Sequence, residues 1–179
     1  MNLKLNDIRI GKILLREPIL NDSIDLFQYA KANMCETLNW GPLKNLNEAK
    51  YIIETYIKRP EMEGIPKGYS IVYDNTMIGF IEFFNFNEFD NSAEIGCYLN
   101  PLYWNLGIMQ KSIKECINLL FNDFNREKII MGHTIKNKRC ESMILKLNFK
   151  YEYEKLFDLG NENYEIVKYY SLYKYERND

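Results

Sequence analysis

"AEIGCYLNPLYWNLGIMQKSI", residues 93–113, passes from an alternating run through a proline turn and a lone glycine into an apolar run at helical spacing. Glu94, Gly96 and Tyr98 alternate against Ile95, Cys97 and Leu99, which reads as a strand. Met109, Ile113, Cys116, Ile117, Leu120 and Phe124 fall on one face of a helix. Gly107 stands just ahead of that helix. A glycine there either lets the chain reverse or lets an anion approach the bare amides that open a helix. By itself it does not choose between the two. The P-loop and dinucleotide glycine patterns are absent, which argues against ordinary nucleotide sites.

Upstream, "YSIVYDNTMIGFIEFFNF" (residues 69–86) reads as a strand, a tight turn at Asp74-Asn75 and a longer strand, so the stretch from 92 completes a meander. Before it, "IRIGKILLRE" (8–17) reads as one first strand ending near Arg16. "NDSIDLFQYAKAN" (21–33) opens with capping residues and reads as a helix. A second helix is expected from about Asn47 through Ile57, where Ala49, Ile52, Ile53, Tyr56 and Ile57 form a stripe. "TLNWGPLKN" (37–45) is the loop between them, with Trp40 at its tip. Downstream, "KIIMGHTI" (128–135) is a strand, "NKRCESMILKLN" (137–148) a short helix, and "FKYEYEKLFD" (149–158) and "YEIVKYYSLYKYE" (164–176) two final strands. The class is mixed α/β (α+β) with a largely antiparallel sheet. With no linker, repeat or low-complexity tract, one domain over residues 1–179 is expected.

The composition is that of a soluble globular chain, with 46% hydrophobic and 27% charged residues. No stretch reaches the roughly 20 apolar residues of a membrane span, and "MNLKLNDIRI" is too charged for a signal peptide. The expected location is therefore cytoplasmic, with no membrane partner. A formal charge of −2 and scattered Lys and Arg argue against nucleic-acid binding. Cys35, Cys97, Cys116 and Cys140 lie far apart and only one histidine accompanies them, so no metal site and no disulfide framework is indicated.

The order of these pieces resembles a known family. "AEIGCYLNPLYWNLGIMQKSI" is similar to the strand, turn and helix that bind acetyl-CoA in the GNAT acyltransferases, in the branch typified by the RimJ/RimL N-acetyltransferases. "NKRCESMILKLNF" resembles the helix that follows the next strand in that branch, and "ILLREPILNDSIDLF" resembles its N-terminal opening. The likeness covers nearly the whole chain. It implies a three-layer fold, a central largely antiparallel twisted sheet with helices on both faces. Some positions depart from the family pattern. Asn105 stands at a usual glycine, Leu106 at a usual basic residue, Met109 at a usual small one, Asn148 at a glycine and Cys140 at a serine. Asn105 and Asn148 are mild replacements, because asparagine takes left-handed backbone angles. The tyrosine and strand glutamate of other GNAT branches fall on Ile144 and Gly132, so neither role carries over.

The resemblance implies acetyl-CoA as cosubstrate and a primary amine as acceptor, either a protein N-terminus such as that of a ribosomal protein, or a small amine such as an aminoglycoside or polyamine. It implies that the pantetheine arm runs beside Cys97, Tyr98 and Leu99. The pyrophosphate would take the amides of Trp104, Asn105, Leu106, Gly107, Ile108 and Met109. Asn137 would cap the last helix and touch the arm. Cys140, one turn on, is the candidate donor to the departing thiolate, against a plain core role. Glu94 is the candidate base, with Glu82 and His133 as weaker rivals. Trp40, Tyr69 and Phe84 are candidate walls of the acceptor pocket. The alternative from another class is a non-catalytic acyl-CoA-binding or regulatory module. Tyrosines on both faces of residues 164–176 leave a homodimer open.

Overall fold

Asp74 and Asn75 sit at φ 47° and 64°, the two left-handed angles that a primed two-residue hairpin needs. The computed structural model describes residues 3–31, 41–158 and 164–176. The described strands are β1 (Ile8–Ile10), β2 (Ile13–Arg16), β3 (Tyr69–Tyr73), β4 (Thr76–Asn87), β5 (Ser92–Leu99), β6 (Lys128–Thr134), β7 (Lys150–Asp158) and β8 (Tyr164–Tyr173). The described helices are α1 (Asp22–Tyr29), α2 (Leu46–Met62), α3 (Ile108–Asn122) and α4 (Lys138–Lys146). The strands form one eight-stranded sheet in the order β1-β2-β3-β4-β5-β6-β8-β7. Pairing is parallel between β5 and β6 and antiparallel in β1–β2, β2–β3, β3–β4, β6–β8 and β8–β7. The parallel pair follows from chain order, since α3 carries the chain from β5 to β6. Among the described residues no helix is long and apolar enough to cross a membrane.

The chain forms two compact units that interleave along the sequence, the first holding described residues 3–31, 41–83 and 97–113 and the second the remainder. The core of the first includes Leu15, Leu26, Ile53, Ile71, Met77, Ile78, Phe80 and Ile81, all fully buried. Tyr56 stacks on Phe80 with ring centres 4.0 Å apart. Arg16 grips Asp22 through both Nη atoms, at 2.9 and 2.6 Å, and Ser70 Oγ donates to the same carboxylate at 2.6 Å. That fork joins β2, α1 and β3. Asn21 makes no side-chain cap. The first helix amides bond backbone carbonyls instead, Asp22 N to Ile19 O at 2.9 Å and Ser23 N to Leu20 O at 3.2 Å, while the Asp22 carboxylate accepts from the Ile19 amide ahead of the helix at 3.1 Å.

Two boundaries differ from the sequence reading. Residues 8–17 are not one strand, because Gly11, at φ 60°, turns the chain and sets Ile10 opposite Ile13. The second helix runs on to Met62 through Pro60. Proline removes one helical hydrogen bond, and Arg59 holds that last turn in place, with Nη2 2.8 Å from Glu82 Oε2 and Nη1 donating to the Phe83 carbonyl at 3.1 Å. The start of α2 is a reciprocal cap, Glu48 N donating to Asn45 Oδ1 at 3.1 Å and Lys44 N to Glu48 Oε2 at 2.8 Å.

In the second unit Ile95, Ile117, Leu120, Phe121, Ile129, Met131, Ile144 and Leu172 form the core. The β5–β6 register runs for three pairs only, Ser92–Lys128, Ala93–Ile129 and Glu94–Ile130, although both strands continue beyond it. On its other side β6 pairs with β8 along its whole length, from Lys128–Tyr173 to Thr134–Val167. β7, at the sheet edge, is exposed along its whole length.

Candidate active site

The end of β5, the turn after it and the start of α3 all lie in the first unit. The Asn100 amide donates to the Ile78 carbonyl at 2.7 Å, which anchors the turn on β4, and its Oδ1 accepts from Leu102 N at 3.1 Å. A short 3-10 turn follows over Pro101–Tyr103. Trp104 then reaches back, its indole Nε1 donating to the Leu99 carbonyl at 2.9 Å. Asn105 and Gly107 take φ 63° and 71°. The asparagine therefore does adopt the left-handed angle that a glycine would. A Cβ added at Gly107 would meet nothing within 4 Å, so a backbone angle and not crowding demands the glycine. Asn105, Leu106 and Gly107 are exposed, while Ile108 is buried and fixes the helix start. The first backbone bond of α3 is Lys111 N to Gly107 O at 3.1 Å, and the amides ahead of it point out of the helix end. No acidic residue occupies the first turn. Tyr98 and Leu99 are buried and Cys97 is half-buried.

Glu94 lies in the second unit. Asn85 Nδ2 donates to its Oε1 at 2.9 Å. Burial holds its carboxyl above the ordinary carboxylate range, against the pull of the Asn85 hydrogen bond. The register sets Glu94 beside Ile130, and Gly132 opposite Tyr169, on one face of the sheet. Tyr153 pairs with Tyr169 on that face and stacks on it, ring centres 4.8 Å apart. Burial first, and the Glu94 carboxylate second, hold the hydroxyls of both tyrosines above their ordinary range.

α4 packs on the opposite face, where Tyr170 Oη donates to Glu141 Oε1 at 3.2 Å. Asn137 is the cap, its Oδ1 accepting from Cys140 N at 3.1 Å. Asn137 and Cys140 are thus brought together, on the side of the sheet away from Glu94. Burial pushes the Cys140 thiol up to about 12. His133 is buried, stacked on Tyr170 at 5.4 Å, with Nδ1 2.8 Å from the Thr134 carbonyl. That bond fixes the proton on Nδ1.

Glu82 is committed to Arg59, and burial raises its pKa against that pairing. Tyr69 is fully buried, its hydroxyl donating to the Asn6 carbonyl at 2.9 Å and its ring edge-on to Phe83. It belongs to the core of the first unit. Phe84 is half-buried in the second. Trp40 and Cys35 lie outside the described residues. Asn85, Tyr153 and Tyr169, the neighbours of Glu94, carry no motif in the sequence. The one available signal was Gly132, since a glycine inside a strand marks a close approach by another group.

The family model for the acetyltransferase (GNAT) domain matches residues 12–150. No curated protein matches the chain significantly. The structure is similar to that of a GNAT-family acetyltransferase from Bacillus anthracis, with a TM-score of 0.81 and 17% identity over 96% of this chain and 100% of that one. RimL, the ribosomal L7/L12 alpha-N-protein acetyltransferase, in complex with coenzyme A bound as a cysteine disulfide, gives 0.83 and 20% over 96% and 100%. The microcin C7 self-immunity acetyltransferase MccE, with acetyl-CoA and AMP, gives 0.82 and 20% over 92% and 93%. At these identities the structural likeness establishes the fold, while the family model covers most of the chain. The chain belongs to the GNAT acetyltransferase family, whose acyl donor is acetyl-CoA.

Proposed function

We propose that the chain is a single acetyltransferase domain of the RimJ/RimL type, which moves an acetyl group from acetyl-CoA directly to a primary amine in a ternary complex. The observation that carries the donor half is the exposed turn of Asn105 and Gly107, both left-handed, opening onto a helix start without acidic residues. Such an end carries partial positive charge and outward amides, which suits a diphosphate. The amides of Asn105 through Met109 receive the pyrophosphate; that of Trp104, expected to join them, is already bonded to the Pro101 carbonyl at 3.2 Å. The backbone of Cys97 to Leu99 accompanies the pantetheine arm, and an amide near Tyr98 or Leu99 polarises the thioester carbonyl. Asn137 steadies the same arm while capping α4.

In the transfer, the amine nitrogen forms a bond to the thioester carbon, the C–S bond breaks and CoA leaves as its thiol. Glu94 takes the proton that the ammonium must shed, directly or through water. Burial, which holds its pKa above the ordinary range, makes it a stronger base than a solvated carboxylate. Cys140 is neutral at that pH. A free thiol titrates near 8.5, so full proton transfer from Cys140 to the sulfur is uphill. Its part is a hydrogen bond to the departing sulfur, and water relays to that sulfur the second proton, which the nitrogen loses once it is bonded to the carbonyl carbon. The cysteine–CoA disulfide in the RimL structure supports a thiol standing beside that sulfur. The RimL likeness also favours a protein N-terminus over an aminoglycoside or polyamine as acceptor.

Calorimetry with CoA, followed by thiol release from acetyl-CoA across a panel of peptides and small amines, tests this reading. Micromolar CoA affinity and release with one acceptor class support it. Absence of CoA affinity would sink it, and tight binding without release for any amine would favour the non-catalytic module.

A further inference from the structure

Gly132 leaves a gap on β6 that a neighbour fills. A Cβ built there would stand 3.1 Å from Tyr169 Cε1 and 3.2 Å from its Cδ1. The Tyr169 ring therefore lies across β6, over the glycine, on the face that carries Glu94. Behind it Tyr153 stacks at 4.8 Å and 18°. Asn85 holds one oxygen of Glu94, at 2.9 Å. Tyr153 is 43% exposed and Asn85 is exposed, while Glu94 and Tyr169 are half-buried. The group is thus a carboxylate beside a pair of tyrosine rings, open to water on one side. Strand register sets Glu94 and Tyr169 on the same face, opposite residues two apart on β6, Ile130 and Gly132.

We infer that Tyr169 and Tyr153, with Glu94 and Asn85, receive the acceptor as its protonated primary ammonium, the rings facing the cation and the carboxylate neutralising it. The inference rests on the reading of Glu94 as the base and adds the residues that bring the amine to it. A cation within about 6 Å of an aromatic ring centre is attracted to its face, and a carboxylate alongside adds charge pairing. The protein already holds one of its own primary ammonium groups in this company on the same sheet face. Lys128 Nζ stands 5.5 Å from the Tyr173 ring centre and 2.5 Å from Glu152 Oε1. Tyr169 and Tyr153 are positioning residues here. They set where the ammonium rests, and Glu94 removes its proton.

The test uses the full chain with ring-labelled tyrosine, its Tyr169 and Tyr153 signals assigned through Tyr169→Phe and Tyr153→Phe. Titration with n-butylammonium chloride at constant ionic strength should shift both signals saturably, and Glu94→Gln should weaken that binding about tenfold. No saturable shift, an equal shift with 1-butanol, or undiminished binding in Glu94→Gln overturns the inference. In turnover, Tyr169→Leu should raise KM for the amine about tenfold with kcat changed less than threefold; an unchanged KM overturns it. Should Tyr169→Leu not fold, Tyr153→Leu carries the same test, because that ring is partly exposed. The titration needs no acetyl-CoA. A chain without CoA affinity would therefore fail as a transferase independently of what the ammonium does.

Discussion

The indole Nε1 of Trp104 donates to the Leu99 carbonyl at 2.9 Å, so a side chain beyond the turn ties down the last residue of the strand before it. The bond closes the loop that leads to the exposed turn of residues 105–107. Trp104→Phe keeps the ring and removes this donor. A lost hydrogen bond of this kind costs about 1 kcal/mol. Calorimetry should show CoA affinity lowered roughly fivefold, with thermal stability little changed.

Gly107 separates conformation from crowding. Its φ of 71° is left-handed and nothing lies within 4 Å of an added Cβ. Gly107→Val should therefore act only through backbone strain, on the order of 1–2 kcal/mol, and lower CoA affinity. Gly107→Asn, which tolerates that angle, should retain most of it. Equal losses in both variants, measured by calorimetry, would show that the added side chain and not the angle matters.

The pH behaviour of Glu94 has a defined sign. Burial raises its folded pKa, so the acidic limb of the kcat/KM profile should lie above the ordinary carboxylate range of about 4.3. Asn85→Ala removes the hydrogen bond that favours the carboxylate and should move that limb to higher pH. Stability follows the same linkage. A carboxyl raised on folding stabilises the fold while protonated, and that contribution is lost as pH rises through the folded pKa. Glu94→Gln should therefore melt higher than wild type at pH 7, and the difference should vanish below about pH 4.

Cys140→Ala removes the thiol without touching the Asn137 cap, which uses the backbone amide. Turnover should slow while CoA affinity stays within about twofold of wild type, a shift under 0.5 kcal/mol. Unchanged turnover would reduce Cys140 to a packing residue.

Asp22 is buried between Arg16 and Ser70. Asp22→Ala leaves the guanidinium without its partner, and breaking a buried pair costs about 3–5 kcal/mol. At roughly 2–4 °C per kcal/mol for a chain of this size, the melting temperature should fall by about 10 °C. A fall of less than 3 °C would mean that water replaces the pair.

Local chemistry made much of this protein legible from its sequence. The strand, turn and helix of residues 92–122, the Asp74-Asn75 hairpin and the left-handed Asn105 and Asn148, at φ 63° and 64°, depend on residue types a few positions apart. The same local reading joined β1 to β2, because alternation continues across Gly11. It also stopped the second helix at Ile57, because the Arg59 contacts that hold its last turn reach β4, more than twenty residues away. Residue types and their spacing were enough for the family, the order of elements and the left-handed turn ahead of α3. Only the tertiary structure decided what surrounds Glu94, because Asn85, Gly132, Tyr153 and Tyr169 come from four other strands. Strand register and the space over a glycine bring them together, and neither is written in any one segment.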